Sequence, residues 1–154
     1  MEEKRLSLLI DIAIEREEEA AKFYRDLAQK VQDKAVQETL EFLAKEEDQH
    51  RKFLSAYRSG NYEGSLDLEE VVDYKVAEHM EEPDADEMKN SSEAYLIAAH
   101  KELQSYRFYK SMADLHTEGK AKEMLYKIAN EELKHKEKVE YLYSNSAFPQ
   151  TSGG

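Results

Sequence analysis

The sequence predicts an all-α protein: a four-helix bundle made of two repeated helical hairpins joined by a long crossover. Three observations carry this. Apolar residues recur every three or four positions along four separate segments, which is the buried stripe of an amphipathic helix. Only five glycines and two prolines punctuate the 154 residues. A shift of 85 residues, from Glu17 to Glu102, superposes the first half of the chain on the second without a gap.

The first helix spans about Leu6 to Lys30, with the stripe Leu6, Ile10, Ala13, Glu17, Ala20, Tyr24 and Leu27. The second spans about Lys34 to Arg58, with Val36, Leu40, Leu43, Glu47, His50, Leu54 and Tyr57. The crossover opens with the loop-like "SGNYEGS". It continues through "LDLEEVVDYKVAEHM", where Leu66, Leu68, Val71, Val72 and Val76 predict a short helix. "EEPDADEMKNSS" reads as an acidic turn, and Ser91 or Ser92 is placed to cap the third helix. That helix covers about Ser92 to His116, with Tyr95, Ala98, Glu102, Ser105, Tyr109 and Met112 on its stripe. The fourth covers about Gly119 to Tyr143, with Ala121, Leu125, Ile128, Glu132, His135, Val139 and Leu142. The repeat pairs Ala13 with Ala98, Phe23 with Phe108, Tyr24 with Tyr109, Leu40 with Leu125, Glu46 with Glu131, Glu47 with Glu132 and His50 with His135. Residues 1–145 are expected to form one domain, and 146–154 a flexible tail.

Composition removes several function classes. A net charge of −12 argues against electrostatic binding of nucleic acid or an anionic membrane. The absence of cysteine excludes disulfides, thiolate zinc sites, iron–sulfur clusters and a rubredoxin-type iron site within the chain. The N-terminal stretch is interrupted by Asp11 and does not read as a signal peptide. No run reaches the roughly 20 apolar residues of a membrane span. A cytoplasmic protein is expected.

Each stripe is apolar except near its middle, where a glutamate stands, twice followed three residues later by a histidine. At that spacing Glu47 and His50, and Glu132 and His135, share one helix face. Glu47 lies between Leu43 and Leu54, and Glu132 between Ile128 and Val139, so that face points inward. Four buried carboxylates cannot stay charged and unpaired, because each would cost several kcal/mol. The stripes hold no lysine or arginine to neutralise them. Two divalent cations would balance the four charges, and neutral imidazoles would complete the ligand set. Iron or manganese suits such mixed oxygen and imidazole donors, and zinc also fits. The competing reading is a bundle with a merely polar core, which leaves the repeat register unexplained. His79, His100 and His116 read as surface or linker residues. Glu46 and Glu131 sit one position round the helix from the candidate ligands, where solvated or supporting roles are expected.

One glutamate from each of two helices, with Glu-x-x-His from each of two others, is the donor pattern of ferritin-like di-iron and di-manganese bundles. The stretches "EREEEAAKFY" with "EEDQH", and "HKELQSYRFY" with "EELKH", resemble the ferritin-like domain of rubrerythrins and their single-domain relatives. The resemblance covers nearly the whole chain apart from the tail. It implies Glu17, Glu47, His50, Glu102, Glu132 and His135 as ligands of two iron ions, with Glu47 and Glu132 bridging. It places the Tyr24 and Tyr109 hydroxyls against ligand carboxylates. It implies a di-iron oxidoreductase acting on peroxide or dioxygen, with electrons from an external donor such as a rubredoxin, and a homodimer. One position departs from the full rubrerythrin pattern: Ser105 stands where a further glutamate is expected. That departure weakens the peroxidase expectation and keeps two alternatives open, a ferroxidase or iron-binding protein and a metal-stabilised structural bundle.

Overall fold

The computed structural model describes residues 2–60, 73–115 and 119–147. Its elements are α1 (Glu2–Lys30), α2 (Lys34–Arg58), the single turn α3 (Val76–His79), α4 (Glu93–Asp114) and α5 (Lys120–Ala147). The four long helices fall where the apolar periodicity puts them. There is no strand among the described residues, and no helix there is long and apolar enough to cross a membrane.

Short, well-satisfied connections make the hairpins. Only three residues separate α1 from α2. Asp33 is the N-cap of α2, its side chain accepting from the Val36 N–H at 3.2 Å. Gln37 reaches back to donate to the Val31 carbonyl at 2.7 Å, satisfying a group near the end of α1. Further along the pair, Arg58 meets Asp11 at 2.8 Å. Just before α5, Gly119 adopts φ +118, which a residue with a side chain rarely adopts.

Two apolar clusters fill the bundle. One gathers Leu27, Val31, Leu40, Leu43, Ala94 to Ala99 and Val139. The other gathers Ile10, Ala13, Leu54, Ala113, Met124, Leu125 and Ile128. On every long helix the glutamate or Glu-x-x-His position falls at the boundary between the two. Leu40, Leu43 and Leu54 are fully buried, each contributing about 1.5–3 kcal/mol. Both clusters draw on all four long helices, so they fix the depth and rotation of each helix at the polar layer between them.

The crossover differs from the expected helix. Helical structure begins only at Val76, because Lys75 takes the left-handed conformation at φ 54 and Asp73 to Lys75 are not helical. Leu66, Leu68, Val71 and Val72 lie outside the described residues, as do residues 148–154 of the expected tail, while residues 146 and 147 belong to α5. Ser92 is the N-cap residue of α4 but makes no capping bond with its side chain, which instead donates to Asn90. Its backbone is already helical, so its hydroxyl does not point at the first free N–H groups.

The described part of the crossover is held by a charge cluster that the stripes did not include. Lys136, fully buried, places its ammonium 2.6 Å from Asp73, 2.8 Å from Glu78 and 3.0 Å from Glu140. Glu140 also accepts the Ala77 N–H at 2.7 Å. Burial alone would lower the pKa of Lys136, but hydrogen bonds to the three carboxylates outweigh it and hold the ammonium charged. His100 meets the Met80 carbonyl at 2.9 Å, and Lys30 pairs with Asp86 at 2.6 Å. His79 is exposed, and His116 lies outside the described residues.

Candidate metal centre

All six predicted positions converge in the polar layer. Glu17, Glu47, His50, Glu102 and Glu132 are at most 2 % exposed, and His135 is 8 % exposed. They form two groups whose ligand-type atoms lie within 4.8 Å of one another. Glu17, Glu47, His50 and Glu132 make one; Glu47, Glu102, Glu132 and His135 make the other. Glu47 and Glu132 belong to both. Each imidazole turns Nδ1 toward this centre. His50 Nδ1 is 2.8 Å from Glu132 and 3.7 Å from Glu17. His135 Nδ1 is 3.7 Å from both Glu47 and Glu102. The two rings stack with centroids 5.9 Å apart.

Tyr24 and Tyr109 brace the centre across the hairpins. Tyr24 donates to Glu102 at 3.0 Å, and Tyr109 donates to Glu17. Each tyrosine therefore holds the glutamate of the opposite half, and α1 and α4 run antiparallel. Burial, reinforced by the surrounding carboxylate charge, raises both phenol pKa values well above normal, so both remain hydrogen-bond donors.

The electrostatics show what the protein alone cannot satisfy. Burial first, then mutual repulsion, raises Glu47 and Glu132 well above the usual carboxylate range. Burial also lifts Glu102 to about 7. Glu17 is held low: burial opposes ionisation, but its contacts with Glu47, His50 and Tyr109 outweigh it. His50 is pushed up because its interactions with Glu131, Glu132 and Glu17 overcome burial, whereas burial keeps His135 low. Among the described residues, both oxygens of Glu47 and Glu132, one each of Glu17 and Glu102, and both Nδ1 atoms are buried without a hydrogen bond. Burying such groups unsatisfied is costly. All eight point to a cation-binding layer. The carboxylates with both oxygens unsatisfied are the two shared between the groups, while Glu17 and Glu102 each give one oxygen to a tyrosine. The donor set thus fits a metal centre.

The family whose sequence profile matches is Rubrerythrin, over residues 8–143. The chain belongs to the rubrerythrin family. No curated protein and no solved structure matches the chain. Membership carries iron binding as the family property, and the buried Glu and His groups are able to hold metal.

Two further residues touch the rubrerythrin-type centre. Glu131 lies 2.6 Å from His50 Nε2, and Glu46 lies 4.0 Å from His135 Nε2. The repeat pairs these two glutamates beside the stripe, where solvated or supporting roles are expected, and both face the histidine of the opposite half. Ser105 is half-buried one turn beyond Glu102. It lines a surface groove between α1 and α4 with Arg16, Ala20, Phe23, Lys101 and Gln104.

Proposed function

We propose that this chain is a non-haem di-iron oxidoreductase that reduces hydrogen peroxide or dioxygen with electrons from an external donor. The observation that carries the reading is the pair of buried ligand groups sharing Glu47 and Glu132. In this reading Glu47 and Glu132 would be shared between the two metal positions. Glu17 with His50, and Glu102 with His135, would complete one position each. The bound iron supplies the redox chemistry. The protein supplies the fixed donors, excludes bulk water with two apolar clusters, and uses Tyr24 and Tyr109 to hold Glu102 and Glu17 in place. The groove at Ala20 and Ser105, where both side chains are small, is the proposed approach for a small oxidant.

Ser105 favours a second reading, oxidation of ferrous iron by dioxygen, because it provides no further carboxylate beside Glu102. Peroxide consumption separates the two. Iron-loaded protein given a chemical reductant should consume peroxide repeatedly. Rapid oxidation by dioxygen without peroxide turnover would establish the ferroxidase reading instead.

A further inference from the structure

The internal repeat provides a control inside one molecule, because each half of the centre can be compared with its counterpart. The Nδ1 distances to the unshared glutamates are equal, 3.7 Å from His50 to Glu17 and from His135 to Glu102, but three other comparisons differ in one direction. Glu131 sits 2.6 Å from His50 Nε2, while the equivalent Glu46 stays 4.0 Å from His135 Nε2. Tyr109 gives its hydrogen bond to Glu17 at 2.5 Å, while Tyr24 approaches Glu102 at 3.0 Å and the Ala98 carbonyl at 3.5 Å. His50 Nδ1 has a carboxylate oxygen at 2.8 Å, whereas those facing His135 Nδ1 are at 3.7 Å.

The difference has an origin in the sequence. Phe42 lies edge-on to the His135 ring at 6.2 Å, with the Lys138 ammonium 4.0 Å over its own ring. The repeat counterpart of Phe42 is Lys127, so the aromatic neighbour of His135 is not repeated beside His50. Phe42 precedes Glu46 by one helical turn, and its contact with His135 accompanies the wider Glu46 separation.

We infer that the two metal positions are inequivalent. The position formed by Glu17, Glu47, His50 and Glu132 is preorganised and fills first, with Glu131 as its positioning residue. A carboxylate on the outer nitrogen of a ligating histidine fixes the ring and its tautomer, leaving the inner nitrogen ready to bind. A group already held in its bound geometry loses less freedom on binding. His135, with Glu46 4.0 Å from its outer nitrogen and Phe42 against its ring, is not held in this way. This inference rests on the metal-binding reading above.

Anaerobic titration of the metal-free full chain with cobalt(II), followed by calorimetry and visible absorption, tests it. Two resolved steps are expected, the first tighter. Glu131→Gln should weaken the first step by about 10–100-fold, while Glu46→Gln leaves that step in place. A residue needed only for folding would weaken both steps together and lower the melting temperature of the metal-free chain. A single two-ion step, weakened equally by either substitution, overturns the inference and leaves metal binding standing. No cobalt bound at all overturns both. Should Glu131→Gln fail to fold, zinc titration of the wild type followed by nitrogen-15 resonances of the imidazoles decides. His50 should respond to the first equivalent and His135 to the second, and the reverse order or a simultaneous response would contradict the assignment.

Discussion

Removing metal should make stability fall as pH rises toward neutrality, and Glu102 sets the scale. Without metal its pKa is about 7, against an ordinary 4.5. The native state therefore holds this proton more tightly than the unfolded chain. The stabilisation is complete below an ordinary pKa of 4.5 and is lost as pH rises through about 7. Between about pH 5.5 and about pH 7.5, Glu102 alone accounts for about 2 kcal/mol. Glu47, Glu132 and His50 are also raised and act with the same sign. His135 is lowered and opposes them, losing stability as pH falls below its ordinary 6.5. The depressed Glu17 acts only below its ordinary 4.5, outside this window. Four groups against one leave the net sign negative. Thermal unfolding of metal-free protein followed by circular dichroism should show a melting temperature lower by about 4–8 °C at the higher pH, on the Glu102 contribution alone. Metal-loaded protein should be more stable at neutral pH and less sensitive to this change, because the cations take over the compensation. A metal-free melting temperature that is flat or rises across the window would refute the reasoning.

Other perturbations separate the parts of the account. Glu47→Ala and Glu132→Ala should each lose both metal ions, whereas Glu17→Ala or Glu102→Ala should lose mainly one, as read by metal analysis after dialysis. Lys136→Met should cost about 3–5 kcal/mol in denaturant unfolding, because it leaves buried Glu140 without its cation. Ser105→Glu should raise the rate of peroxide consumption by iron-loaded protein, and an unchanged rate would detach that position from the chemistry.

The sequence made the helices and the centre readable for one reason: a bundle repeats its apolar face at the helical period, and a charged residue there breaks the pattern. Glu17, Glu47, Glu102 and Glu132 showed as such breaks, and the 85-residue repeat tied them together. Lys136 did not show, because it stands beside His135 just off the stripe. Its partners Asp73 and Glu78 come from the crossover, and no local pattern announces a pairing across that distance. Lys75 was equally hidden: a left-handed lysine carries no composition signal, yet it keeps Asp73 to Lys75 out of the short helix. The unequal reach of Glu46 and Glu131 also required coordinates. Repeat register pairs the two, and the packing of Phe42 on His135 is one contact that distinguishes their surroundings.

The central claim is that the buried Glu and His layer holds two metal ions bridged by Glu47 and Glu132. A crystal structure of iron-loaded protein, with the ions located by anomalous scattering, tests it most directly. The account predicts two ions about 3.5–4 Å apart, with Glu47 and Glu132 spanning them, His50 and Glu17 on one, and His135 and Glu102 on the other. No ion in that layer, or a single ion bound away from Glu47 and Glu132, would contradict it.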